Sequence, residues 1–265
     1  LARRENLESF FSGYGFIVVD ECHHIPAVEF ERCLRKAPAR FLLGLTATPY
    51  RRDGLQQIIS MQCGPVRHEI AATQTQIRLS VIMKETAFGY ADDSLRPIQE
   101  WLKDLAEDEL RSGMIVQDVL DASSRGRRCL ILCQRKDHCA ALAGFLAARG
   151  VQAISLDGLQ GKKTRTALLK TIDEMPADKP LIVIATGQYL GEGFDCPQMD
   201  ALFMASPASF KGRLIQYVGR VMREHPGKTD ALIYDYVDSH VDVLKRMYFK
   251  RLKTYKSLDA TPVEE

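Results

Sequence analysis

Short apolar runs, separated by stretches long enough for a helix, constrain this chain more than any other feature. Phe16-Ile17-Val18-Val19 runs up to Asp20, and Phe41-Leu42-Leu43-Gly44-Leu45 runs up to Thr46. A strand with one face in water alternates apolar and polar residues, whereas a strand apolar at every position predicts burial between two helical layers. Val28 to Ala37 reads as a helix followed by Pro38, so the first 46 residues give strand, helix, strand. The second half repeats the pattern more regularly. Strands are predicted at Cys129–Cys133, Val151–Leu156, Leu181–Ala185, Ala201–Ala205 and Ala231–Tyr236, and helices at Asp137–Arg149, Lys163–Glu174 and Gly212–Met222. Alternating strands and helices with short loops predict an α/β fold, a right-handed and mostly parallel sheet covered on both faces.

The middle of the chain is less regular. A strand is expected at Ile77–Met83, then a helical stretch from Leu95 to Val119, interrupted near Ser112-Gly113. It keeps Ile98, Trp101, Leu102 and Leu105 at helical spacing. Val241 to Tyr255 reads as a basic amphipathic helix docked on the last strand. The organisation expected is a first domain over 1–93, a helical connection over 94–123, a second domain over 124–240, and a C-terminal helix and tail over 241–265.

Composition excludes several classes. Hydrophobic residues make up 46% and charged residues 26%, which excludes disorder. No apolar run approaches the roughly 18 residues of a membrane span. A net charge of +2 decides nothing about partners, because a nucleic-acid groove can be basic on a nearly neutral protein. Seven cysteines, an odd number, fit a reducing compartment, and a cytoplasmic location is expected. Cys129, Cys133, His138 and Cys139 lie close together, but their spacing matches no usual zinc pattern, and a buried apolar role is expected.

In open α/β sheets ligands gather at the carboxyl ends of the strands. Asp20-Glu21-Cys22-His23 follows the first strand directly. Two adjacent carboxylates there are costly unless a cation or a task compensates them. Mg²⁺ held near Asp20, with Glu21 orienting a water, would provide both; a solvated helix cap is the plain alternative. Thr46-Ala47-Thr48-Pro49 follows the second strand, either as a turn or as a polar relay beside the acidic pair. Thr186-Gly187 and then Gly191-Glu192-Gly193-Phe194-Asp195 form a glycine-rich loop whose backbone must approach something closely. Gln216, Gly219, Arg220 and Arg223 fall on one face of a predicted helix, a solvated stripe or a pair of phosphate-directed arginines.

The order of these four segments resembles motifs II, III, V and VI of the superfamily 2 helicases, over nearly the whole chain. Thr46-Ala47-Thr48-Pro49-Tyr50-Arg51-Arg52-Asp53-Gly54 and the Asp-Glu-Cys-His variant are most similar to the branch of excision-repair helicases and restriction-enzyme motor subunits. The resemblance implies two RecA-like parallel-sheet domains, the first incomplete at its N-terminus, and an ATP-driven motor on nucleic acid, DNA rather than RNA. It implies ATP and Mg²⁺ as cofactors, with Asp20 on the metal and Glu21 positioning the hydrolytic water. His23 would couple the ATP site to the second domain through Gln216, and Thr46 and Thr48 would link hydrolysis to domain movement. Gly193 and Asp195 would lie near the ribose, Thr186 near the nucleic-acid backbone, and Arg220 and Arg223 at the phosphates, with Arg223 the preferred arginine finger. A nuclease or other effector, as a domain or subunit, is the implied partner; no membrane is involved.

Such a motor needs a G-x-x-x-x-G-K-[ST] loop upstream of the acidic pair, and nothing between Leu1 and Asp20 supplies it. With Leu1-Ala2-Arg3-Arg4 at the start instead of Met, the chain is expected to be a piece of a longer protein, itself inactive. Gly158-Leu-Gln-Gly161-Lys162-Lys163-Thr164 is a decoy: Leu156 stands where the first glycine is required, and Lys163 where Ser or Thr is. Two other readings stay open, an ATPase-inactive nucleic-acid-binding module and a small-molecule kinase built on that decoy.

Overall fold

The computed structural model describes residues 6–24, 28–46, 56–69, 76–89, 96–156, 161–176, 179–191, 196–208 and 211–263. Contacts divide the chain into two units, Leu1–Thr73 and Gln74–Glu265. No helix among the described residues is long and apolar enough to cross a membrane.

In the first unit α1 (Leu7–Phe11) leads into β1 (Phe16–Val19), a short 3-10 turn (Cys22–His24), α2 (Val28–Arg35), β2 (Phe41–Gly44) and α3 (Gln56–Cys63). The strands pair in parallel, Phe16 opposite Phe41 and Val19 opposite Gly44. Val19, Cys22 and Ile59 form a small core with Ile17, Phe30, Leu34, Leu42 and Cys63, so α2 and α3 both cover the same face. The expected burial on two faces is therefore met on one. Phe16, Val18, Phe41, Leu43 and Leu45 alternate with the covered residues and are exposed. Gly44 is required by space: a Cβ there would stand 2.8 Å from the Cys63 sulfur and 3.0 Å from that of Cys22.

The described residues of the second unit form one sheet of seven parallel strands. β3 (Arg78–Glu85), β4 (Cys129–Cys133), β5 (Ile154–Leu156), β6 (Ile182–Thr186), β7 (Ala201–Met204), β8 (Asp230–Val237) and β9 (Thr261–Val263) lie in the order β5-β6-β4-β7-β8-β3-β9. Here the continuous apolar runs are buried on both faces as expected. Leu130, Leu132, Val183, Leu202 and Ile233 point to the side packed by α7 (Lys162–Asp173), α8 (Gly187–Gly191) and α9 (Lys211–Val221). Ile131, Cys133, Ile184, Phe203 and Tyr234 point to the side packed by α5 (Glu109–Ser124) and α6 (Lys136–Ala147). The period of two along each strand sorts the two sets. α10 (Asp242–Ser257) packs beside β8, and α4 (Ile98–Glu107) joins Phe88, Val241 and Leu244 around the buried Trp101.

Three features differ from the sequence reading. The strand expected at 77–83 forms, but it pairs with β8 along its whole length, so contacts divide the chain at residue 73 and not 93. α4 and α5 pack against this same unit. The helical break falls at Asp108 and not at Ser112-Gly113: the Asp108 side chain accepts the Arg111 N–H at 2.7 Å and caps α5, a stronger start signal than a glycine is a stop. β9 carried no apolar pattern and was not anticipated; its residues are exposed at the sheet edge.

Candidate functional site

The end of β1 is tied to the end of β2 by backbone. The Leu45 N–H donates to the Val19 carbonyl and the Cys22 N–H to the Leu45 carbonyl, each at 2.9 Å. This lock brings Asp20–His23 against Thr46. Asp20 is exposed, and its carboxylate accepts the Glu21 N–H at 2.9 Å. Glu21 itself sits at φ +50°, left-handed backbone that costs a non-glycine residue about 1–2 kcal/mol. Strain of this kind persists where surrounding structure fixes it. The His23 Nδ1 lies 3.1 Å from Glu21 Oε2 and 2.9 Å from Thr46 Oγ1. The ring nitrogen is hydrogen-bonded to Thr46 and stands beside the Glu21 carboxylate, so His23 ties the turn after β1 to the end of β2. The side chain of His23 is 15% exposed and that of Glu21 39%, while the Glu21 oxygen that faces His23 is sealed from solvent.

Asp20 and Glu21 offer hard carboxylate oxygens beside each other, the donor chemistry that suits Mg²⁺. Among the described residues no cluster of three or more histidines, cysteines and carboxylates could hold a metal. Beneath the pair, burial pushes the Cys22 thiol up to about 11, helped by the neighbouring Cys63, so this cysteine is a packing residue.

The second unit carries the other predicted residues. On α9 Leu214, Tyr217, Val218 and Val221 are buried, while Gln216, Gly219 and Arg220 lie on the partly open side. Arg223 stands just beyond the last helical residue, in the turn after Val221, and is exposed. Its carbonyl accepts from Lys228 Nζ at 3.0 Å, and the same ammonium reaches the carbonyls of Pro197 (2.9 Å) and Met199 (2.5 Å). Lys228 therefore pins the Arg223 turn to the segment that follows the glycine-rich loop. Burial pushes its pKa down to about 8. Thr186 ends β6 and is nearly buried; at Gly187 a side chain would run into the Tyr217 hydroxyl, which joins this loop to α9. Gly193, Asp195 and Thr48 lie outside the described residues, as does Gly158 of the decoy loop.

A polar edge at the same carboxyl ends escaped the sequence reading. The Gln134 N–H donates to Ser206 Oγ at 3.0 Å, and Gln134 Nε2 donates to the Pro207 carbonyl. Behind it Arg111 Nε and Nη2 grip both oxygens of Asp238 at 2.8 and 3.2 Å, Nη1 donates to the Ala205 carbonyl, and Thr86 Oγ1 donates to Asp238 at 2.6 Å. The rule that singled out Asp20, inspection of the residue after each apolar run, would have found Gln134. Arg111 gave no such signal, since its charge looks like any other on a helix. His138 is fully buried beside this network, with Nδ1 3.2 Å from Ser206 Oγ. Burial, and then the Arg111 charge, lower its pKa to about 3, and Cys133 and Cys139 are buried in the core, as the apolar reading of that cluster expected.

A family model described as "Helicase conserved C-terminal domain" matches residues 112–225, and one described as "Type III restriction enzyme, res subunit" matches residues 2–51. The two matches support a superfamily 2 helicase C-terminal portion. They cover the acidic pair in one unit and the Thr186 and α9 segments in the other. Among relatives, "Putative helicase 161L" of Invertebrate iridescent virus 6 is 28% identical over 258 residues, 94% of this chain and 57% of that protein. "Putative mitochondrial ATP-dependent helicase irc3" of Schizosaccharomyces pombe is 28% identical over 250 residues, 86% of this chain and 40% of that protein. The chain thus spans about half the length of the curated relatives it matches. Among solved structures, S. cerevisiae Dbp5 bound to RNA and ADP BeF3 aligns with a TM-score of 0.65 at 16% identity, over 94% of this chain and 59% of that one. The fold is α/β, and the solved neighbours are RecA-like helicase domains.

Proposed function

We propose that the chain supplies the water-positioning and arginine groups of an ATP-driven motor that moves on nucleic acid, DNA in preference to RNA, in the cytoplasm. The observation that carries this reading is the clustering of Glu21, His23 and Thr46 at adjacent strand ends, with Glu21 held in left-handed backbone. Mg²⁺ on Asp20 would neutralise phosphate charge when nucleotide is bound. Glu21 accepts a hydrogen from the attacking water and aligns it with the γ-phosphorus, while His23 holds the carboxylate in place and links it to Thr46. Arg220 and Arg223 stabilise the charge on the transferring phosphoryl group, and Lys228 sets the turn from which Arg223 projects. Gly193 and Asp195 are assigned to the ribose, Gln216 and Thr48 to coupling, and Thr186 to the nucleic-acid backbone.

The test is ATP turnover, stimulated by single-stranded DNA, in the protein that contains this chain. Glu21→Gln keeps the shape of the side chain and removes its basicity. A general base contributes about 10²–10⁴ in rate, so kcat should fall about a hundredfold or more with ATP affinity retained. Unchanged turnover would end the motor assignment and leave a nucleic-acid-binding module.

A further inference from the structure

α10 presents two different faces. Leu244, Arg251, Thr254 and Tyr255 are buried against the sheet. Lys245, Arg246, Phe249, Lys250, Lys253 and Lys256 are exposed. Arg246, Phe249, Lys250 and Lys253 fall at i, i+3, i+4 and i+7, which aligns them as one stripe along the helix. None of the three cations in this stripe is in an ion pair among the described residues, and Phe249 stands 49% exposed between them. Together with Val243 and Met247 the stripe lines a shallow groove of about 320 Å³.

We propose that this stripe is an accessory contact for single-stranded nucleic acid, outside the hydrolytic site and outside the Thr186 segment. The chemistry is that of a strand-tracking surface. Cations along a groove take the phosphates, and an exposed ring between them takes the face of a base, sequence-tolerantly because every base has one. The seven residue steps of helix from Arg246 to Lys253 span about 10 Å, enough to meet two or three consecutive phosphates. An exposed ring among cations serves an acidic polypeptide poorly, whereas a base and its phosphate use both. The helix is held rigidly for this task by the buried Arg251–Asp235 pair, so binding orders few groups. The proposal rests on nucleic acid being the polymer this chain engages.

The experiment is fluorescence anisotropy of this chain with labelled dT20 over a salt series. Substituting Arg246, Lys250 and Lys253 together by Gln should lower the slope of log K against log salt by about 2, since each single-strand phosphate contact contributes about 0.7. Phe249→Ala should weaken binding by about fivefold to a hundredfold and leave the slope unchanged, because stacking releases no counterions. A control triple, Lys103, Lys170 and Lys179 to Gln on other exposed surfaces, should leave the slope in place. All seven side chains are exposed, so far-UV circular dichroism and melting temperature should match the parent. If the parent chain does not bind dT20, the nucleic-acid reading itself fails. If it binds and the α10 triple keeps its slope, or the control triple lowers it equally, the accessory contact is refuted while that reading stands.

Discussion

The Arg251–Asp235 pair allows a sharp test of what docks α10. Arg251 Nε lies 2.8 and 3.1 Å from the two oxygens of Asp235, and Nη2 lies 2.7 Å from one of them. Both side chains are essentially sealed from water, at 2% and 0% exposure. Burial alone would lower the Arg251 pKa, but the Asp235 carboxylate beside it more than offsets this, and the guanidinium is held firmly charged. Arg251→Met preserves much of the side-chain volume and strands a carboxylate with neither water nor a cation. Breaking one side of such a pair costs about 3–5 kcal/mol. That is a factor of roughly 10²–10³ or more in the folded ratio, and about 8–15 °C in melting temperature for a unit of this size. The chain has one tryptophan, Trp101, fully buried in the second unit, so its fluorescence during urea unfolding reports on that unit. The double variant, Arg251→Met with Asp235→Leu, should return to within about 1 kcal/mol of the parent, since replacing both partners by apolar groups removes the stranded charge. A single-variant loss below about 1 kcal/mol, or no recovery in the double, would refute the reasoning.

Two further outcomes follow from burial. Gly44→Ala should destabilise the first unit by about 1–3 kcal/mol through the clash with the Cys22 and Cys63 sulfurs, and adding Cys63→Ala should recover most of it, read by limited proteolysis of that unit. His138, with its pKa lowered to about 3, stays neutral in the folded chain while the unfolded chain takes up a proton below about pH 6.5. The unfolded state then binds more protons, so stability is full above that pH and falls by about 1.4 kcal/mol per unit as pH drops towards 3. His138→Gln should flatten that slope in urea titrations at pH 4 to 7; a slope unchanged from the parent would exclude His138 as its source.

The strand–helix alternation and the Asp20–His23, Thr46, Thr186 and Gln216–Arg223 segments were legible because each is local. A buried strand must be apolar along its run, and a ligand site at a strand end must put its residues just past that run. The same locality explains the misses. The Asp108 cap was readable but competed with a nearby glycine, and Arg111 announced nothing, since its partners Asp238, Thr86 and Ala205 are distant in sequence.

Sequence alone determined the α/β class and which side chains stand at the strand ends, because strand burial and side-chain identity depend on short stretches of chain. Only the tertiary structure decided that residues 78–85 pair with 230–237 and not with the first unit's strands. It also decided that Glu21 takes left-handed backbone, and that His23 reaches across from one strand end to Thr46 at another. Register and clustering are set by which chain segments meet in space, and no local pattern encodes the partner.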